Sequence, residues 1–100
     1  GQVIGVKAET FDEYVRYHAA VWPGVLQMIY DCNIRNYSIY HKDGLLFAYF
    51  EYVGDDFEGD MAKMGAEPRT IEWLKQCDPM QIPLPGSEGW TDMERVYFNP

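Results

Sequence analysis

The apolar positions of this chain follow two periods, and the switches between them give an order of elements. Gln2–Lys7 (QVIGVK) is short and partly β-branched, which predicts a first strand. From Phe11 onward the spacing becomes helical. Phe11, Tyr14, Val15, His18, Val21, Trp22, Val25, Leu26 and Ile29 fall on or near one face. Thr10 followed by Glu13 fits a capping box at the start of that helix. Pro23 lacks a backbone donor and clashes with the turn before it, so a kink is expected near Val21–Trp22.

Ile34–Tyr40 (IRNYSIY) and Leu45–Tyr52 (LLFAYFEY) read as the clearest strands, joined through the turn residues His41-Lys42-Asp43-Gly44. Asp55-Asp56 can cap a second helix through Phe57, Met61 and Met64, with Gly65 as its stop. Pro68 suits the first position of a further helix reaching about Cys77. A loop rich in proline and glycine follows to about Thr91, and Met93–Phe98 (MERVYF) reads as a closing strand. The order is β-α-β-β-α-β with the second helical stretch in two pieces. That is the ferredoxin-like α+β sandwich, one antiparallel sheet with helices on one face. In LLFAYFEY, Leu45, Phe47 and Tyr49 point one way and Leu46, Ala48, Phe50 and Tyr52 the other. Both faces of this strand are apolar, whereas a sheet with one wet face alternates. Helices cover one face; a ligand pocket, the sheet of a second copy, or both must cover the other.

The 100 residues bound the chain to one domain, 1–100. A content of 47% hydrophobic and 16% aromatic residues is generous for a body that buries so little of its surface. It strengthens the case for an aromatic-lined pocket or an apolar contact with another chain. The net charge of -8 disfavours nucleic acid and anionic membranes as partners and leaves a neutral small molecule, a cation or another protein. Cys32 and Cys77 have neither CxxC spacing nor two further cysteines, so they read as reduced, buried thiols. No signal peptide or bilayer-length apolar run is visible, so the expected compartment is the cytoplasm.

Tyr14, His18 and Trp22 lie four residues apart, which on a helix places a phenol, an imidazole and an indole along one stripe. Histidine is the side chain best suited to proton transfer near neutral pH, and an indole packs on the apolar face of a sugar ring. The same stripe also describes a packed helix with a satisfied histidine. Tyr37 and Tyr40 fall on opposite faces of their strand, Trp90 and Tyr97 read as core or interface residues, and His41 reads as a solvated turn residue. The two histidines lack a flanking ligand pattern for a metal, no glycine-rich phosphate loop is present, and neither serine nor cysteine has a nucleophile motif around it. No cofactor is expected. The residue set suits proton movement on a neutral polyhydroxyl ligand, a monosaccharide above all.

Several segments together resemble the L-rhamnose mutarotase family. Glu13-Tyr14 with His18 and Trp22-Pro23 matches its E-Y-x-x-x-H-x-x-x-W-P segment. Asn36-Tyr37-Ser38-Ile39-Tyr40 matches its N-Y-x-I-Y strand. Leu45-Leu46-Phe47-Ala48, Trp73 with Asp78-Pro79-Met80, and Val96-Tyr97-Phe98 follow in order and at compatible spacing. The resemblance implies a dimeric α+β barrel, a homodimer, that interconverts the α and β anomers of L-rhamnose or a related 6-deoxy sugar such as L-fucose. Carried over by position, it makes His18 the proton donor and assigns Tyr14, Tyr37 and Trp73 to sugar binding. Leu74 stands where the family often has a second adjacent tryptophan, which alters the pocket wall. Ring opening needs a proton given to the ring oxygen and one taken from the anomeric hydroxyl. His18 would act as acid on opening and base on reclosure, with Asp78 or a water as candidate partner base. Two rival readings stand beside this one. One is a dimeric α+β barrel monooxygenase or haem-binding protein; the other is a sugar-binding module without turnover.

Overall fold

The computed structural model describes residues 1–100. Its strands are β1 (Gln2–Val6), β2 (Ile34–Lys42), β3 (Leu45–Tyr52), β4 (Gln81–Ile82) and β5 (Thr91–Asp92). Its helices are α1 (Phe11–Ala19), α2 (Pro23–Asp31), α3 (Phe57–Ala66) and α4 (Pro68–Cys77). The sheet order is β2-β3-β1-β4, antiparallel throughout, with β5 also paired to β1. This is the ferredoxin-like arrangement that the element order implies. Gly5 and Val6 pair with Ile82 and Gln81, while Gln2 and Val3 pair with Asp92 and Thr91. The fourth strand position is therefore filled by two short pieces on one edge of β1, separated by the excursion 83–90.

Local chemistry explains most element ends. The β2–β3 hairpin turns on Asp43 (φ 51°) and Gly44 (φ 79°), two successive left-handed residues of the kind a tight hairpin demands. Asp56 caps α3 by accepting the Gly59 N–H at 3.1 Å. Glu67 caps α4, its carboxylate accepting the Thr70 N–H at 2.6 Å, with Pro68 in the first turn.

Four expectations need correction. The capping box at Thr10 does not form: a 3₁₀ turn over Ala8–Thr10 precedes α1, and the Thr10 hydroxyl donates to the Lys7 carbonyl instead. The kink at Pro23 is a full break. α1 ends at Ala19 and Pro23 opens a new helix, because a proline fits the first turn better than the interior. Gly65 does not stop α3, which continues to Ala66; the stop is Glu67, driven into extended backbone (ψ 126°) by the proline that follows it. The closing strand Met93–Phe98 is not formed: pairing ends at Asp92, and Val96 is 88% exposed. A run of β-formers has no ladder to join here, since the register that sets Asp92 opposite Gln2 carries the following residues past the end of β1.

The core lies between the sheet and the helices. Ile4, Val6 and Leu46 from the sheet meet Tyr14, Val25, Trp73, Cys77 and Met80 from the helical side. The opposite sheet face carries Tyr40, Phe47 and Tyr49, of which both tyrosines are exposed. A buried polar group pins α3. The Tyr52 hydroxyl and the Asn33 amide donate to Asp60 Oδ2 at 2.5 and 2.9 Å, and Lys63 lies 3.6 Å from Oδ1. These hydrogen bonds, Tyr52's foremost, hold the Asp60 carboxyl below its ordinary pKa of 3.8. A carboxyl whose pKa falls on folding contributes stability above its unfolded pKa, and that contribution fades as pH drops through the folded value. Asp60→Asn is therefore expected to lower the urea midpoint at neutral pH, with the gap to wild type narrowing once the pH passes below 3.8. A gap constant across that range would show that the Asp60 charge plays no part.

Candidate functional site

The site is built where α1, α2 and α4 face β2. Helical spacing sets His18 one turn beyond Tyr14, and their rings stack at 4.3 Å between centroids. His18 Nδ1 lies 2.8 Å from the Tyr14 main-chain oxygen. A carbonyl only accepts, so Nδ1 carries the hydrogen and Nε2 of the neutral ring keeps its lone pair. The break before Pro23 takes Trp22 off the α1 stripe, yet its ring still meets Trp73 edge-on at 5.2 Å. Trp73 on α4 is 6% exposed, and it also meets Tyr17 and His18 edge-on, at 5.7 and 5.4 Å.

His18, Tyr37 and Trp73 line one cavity of about 390 Å³, whose aliphatic wall includes Val21, Val25, Leu26 and Ile29. Tyr37 gets there through a β-bulge: the β2–β3 register shifts between Arg35 and Ser38, and Asn36 takes φ 52°. Its ring rests against Phe50, while Tyr40 points to the opposite sheet face as expected. A second cavity, of about 310 Å³, lies on the other side of His18, and its lining includes Tyr14, Phe11, His41 and Leu46. His41 is exposed, but it is not simply a solvated turn residue. Its ring packs at a tilt on Phe11, 4.1 Å between centroids, and its Nε2 accepts the Gly44 N–H at 3.2 Å.

Of the candidate residues, His18, Tyr37 and Trp73 share one cavity, and Tyr14 lies beneath His18. Leu74 stands apart: it is 41% exposed and lines neither cavity beside His18. Asp78 is exposed and also lines neither, and no carboxylate does. Trp90 packs partly buried on the core, whereas Tyr97 is exposed. Burial pushes the Tyr14 phenol up to about 12 and raises Tyr37 as well, so both stay protonated near neutral pH. Burial likewise pushes the Cys77 thiol up to about 11, which leaves it an inert thiol. No group of three or more His, Cys, Asp or Glu side chains gathers in a metal-holding cluster. One contact was not foreseen: the Gln81 amide reaches the Tyr14 hydroxyl at 3.2 Å. Gln81 lies on a two-residue strand, too short to leave any periodicity.

This geometry agrees with what the sequence resembles across its length. A family model for L-rhamnose mutarotase matches residues 1–98. The chain belongs to the L-rhamnose mutarotase family. It is 35% identical over 85 residues to an L-rhamnose mutarotase of Phocaeicola vulgatus, covering 73% of this chain and 79% of the relative. It is 27% identical over 100 residues to one of Lactiplantibacillus plantarum, covering 97% and 93%. The crystal structure of an L-rhamnose mutarotase from Formosa agariphila superposes with a TM-score of 0.79 over 99% of this chain and 95% of that one, at 19% identity. That likeness supports the fold. Family membership makes the protein an anomer-interconverting carbohydrate isomerase and favours neither the monooxygenase or haem reading nor binding without turnover.

Proposed function

We propose that this protein interconverts the α and β anomers of L-rhamnose, with His18 moving the proton at the anomeric oxygen. The observation that carries this reading is the His18 tautomer. With Nδ1–H committed to a main-chain carbonyl, Nε2 is a base in the neutral ring. It takes the proton of the anomeric hydroxyl as the ring bond between the anomeric carbon and the ring oxygen breaks. The ring oxygen takes a proton from the protonated phenol of Tyr37, which lines the cavity, from that of Tyr14 beneath His18, or from a water. After the aldehyde rotates, the steps reverse and the other anomer closes. His18 is thus base on opening and acid on reclosure, the reverse of the order expected from sequence. Asp78 is exposed and lines neither cavity, so this reading gives it no part in the proton transfer. Trp73 supplies an aromatic wall, and the aliphatic side of the cavity suits the methyl group of a 6-deoxy sugar.

We read the whole chain as one domain that works as a homodimer in the cytoplasm. Tyr40 and Tyr49 on the open sheet face and Val96, Tyr97 and Phe98 in the final segment form the exposed apolar surface a second copy would cover. Cys32 and Cys77 are buried and unpaired, which suits a reducing compartment. NMR saturation transfer between the anomers of L-rhamnose tests the activity, with L-fucose as comparison. Enzyme-dependent exchange, faster on L-rhamnose, is the expected result; no exchange on either sugar overturns the reading. Light scattering on the same sample should give twice the 11.6 kDa chain mass, and thiol titration of natively isolated protein should count both cysteines free. A monomer mass or oxidised thiols would remove the corresponding part.

A further inference from the structure

We propose that Gln81 is a positioning residue: its side-chain amide fixes the direction in which the Tyr14 hydroxyl donates, so that Tyr14 meets the sugar as a hydrogen-bond donor. The inference rests on the mutarotase reading of this site and adds a residue to it. Three observations carry it. The first is the contact. Gln81 Nε2 donates to Tyr14 Oη at 3.2 Å, across 67 positions of sequence. A phenol has one hydrogen to give and lone pairs to receive, so an amide donor on the oxygen leaves the O–H free to point elsewhere. No acceptor in the protein takes that hydrogen.

The second is the setting of Tyr14. The residue is 4% exposed, sits in the core cluster and stacks under His18. A hydroxyl in so confined a place cannot exchange partners with bulk water freely, so an orienting bond there sets which polarity the site presents. Burial also keeps this phenol protonated, so it can act as donor throughout the working range.

The third is how firmly Gln81 is held. Its strand pairs with β1 at Val6↔Gln81 and Gly5↔Ile82, and the Lys7 N–H bonds the Met80 carbonyl at 2.8 Å. A Cβ on Gly5 would stand 2.7 Å from the Ile82 carbonyl oxygen, so this approach needs a glycine at that position. The ladder carries the amide to Tyr14 from the end of the sheet, independently of the helix that bears Tyr14 and His18.

Two substitutions separate the parts. Gln81→Met keeps the length and removes the donor. Gln81→Glu keeps the shape but puts an acceptor on Tyr14, which draws the phenol hydrogen toward the carboxylate and turns the oxygen's lone pairs to the site. Losing one hydrogen bond's worth of orientation is expected to raise KM for L-rhamnose by roughly 2- to 10-fold in Gln81→Met, with kcat changed less. Gln81→Glu should be worse than Gln81→Met. Both effects should vanish in a Tyr14→Phe background, where no hydroxyl remains to orient, and that coupling separates orientation from a general structural role. If Gln81→Glu fails to fold, Gln81→Met with and without Tyr14→Phe still decides the matter. Wild-type kinetics in Gln81→Met, or equal losses with and without the Tyr14 hydroxyl, overturns the proposal while leaving the mutarotase reading intact. A wild type without anomer exchange overturns that reading itself.

Discussion

Replacing His18 with alanine is expected to slow enzyme-dependent anomer exchange by roughly 10²–10⁴-fold, the usual contribution of one placed acid–base group. The fold should survive. His18 is only half-buried, and Tyr14 and Trp73, which flank it, are held by the core without it. A thermal melt should therefore move far less than the rate. His18→Asn sharpens the test, because its amide can still donate to the Tyr14 carbonyl in place of Nδ1 while offering no base at the Nε2 position. Exchange lost in both variants locates the chemistry at Nε2. Exchange retained in His18→Ala would remove His18 from the mechanism and leave the phenols as the groups to pursue.

Trp73→Ala is expected to cost the fold before it costs sugar binding. An indole at 6% exposure, in edge contact with Tyr17, His18 and Trp22, belongs to the core as much as to the cavity. Truncating a buried aromatic to alanine costs about 3–5 kcal/mol, against a total of about 5–15 kcal/mol for a domain of this size. At about 4–8 °C per kcal/mol, the melting temperature should fall by tens of degrees. A melting temperature unchanged in Trp73→Ala would show that the indole is a wall of the site only. Its role toward the sugar is better measured in Trp73→Phe, which keeps an aromatic ring in the core; there a raised KM with a modest loss of stability is expected.

The parts legible in the sequence were those carried by repetition. The β-branched run Gln2–Lys7, the apolar strand LLFAYFEY and the Asp43-Gly44 turn gave the order of elements, and the fourfold spacing of Tyr14 and His18 gave the stacked pair at the centre of the site. Pro23 is instructive in the other direction. Apolar spacing runs unbroken across it, so the pattern suggests one kinked helix where the backbone forms two. Trp22 thus reached Trp73 by a route that helical spacing does not describe. The closing segment failed for another reason. Met93–Phe98 has the residues of a strand, but strand formation is a matter of partners, and the register that pairs Asp92 with Gln2 takes this segment past the end of β1. The bulge at Asn36 and the Gln81–Tyr14 contact lie beyond pattern reading altogether. One depends on a single left-handed residue and the other on a side chain brought from the far end of the chain.

The partner that orients His18 is a main-chain oxygen one helical turn away. No side-chain substitution can delete it; only unwinding α1 can. A histidine held by a carboxylate would depend on a second codon, and each drift of that codon would put the reaction at risk. Here the orientation is inherited from the backbone, so the rest of the site can be rebuilt around a reactive nitrogen whose tautomer never changes. Gln81 stands on the other side of that distinction: its contact with Tyr14 is made by a side chain, so a single change can alter it.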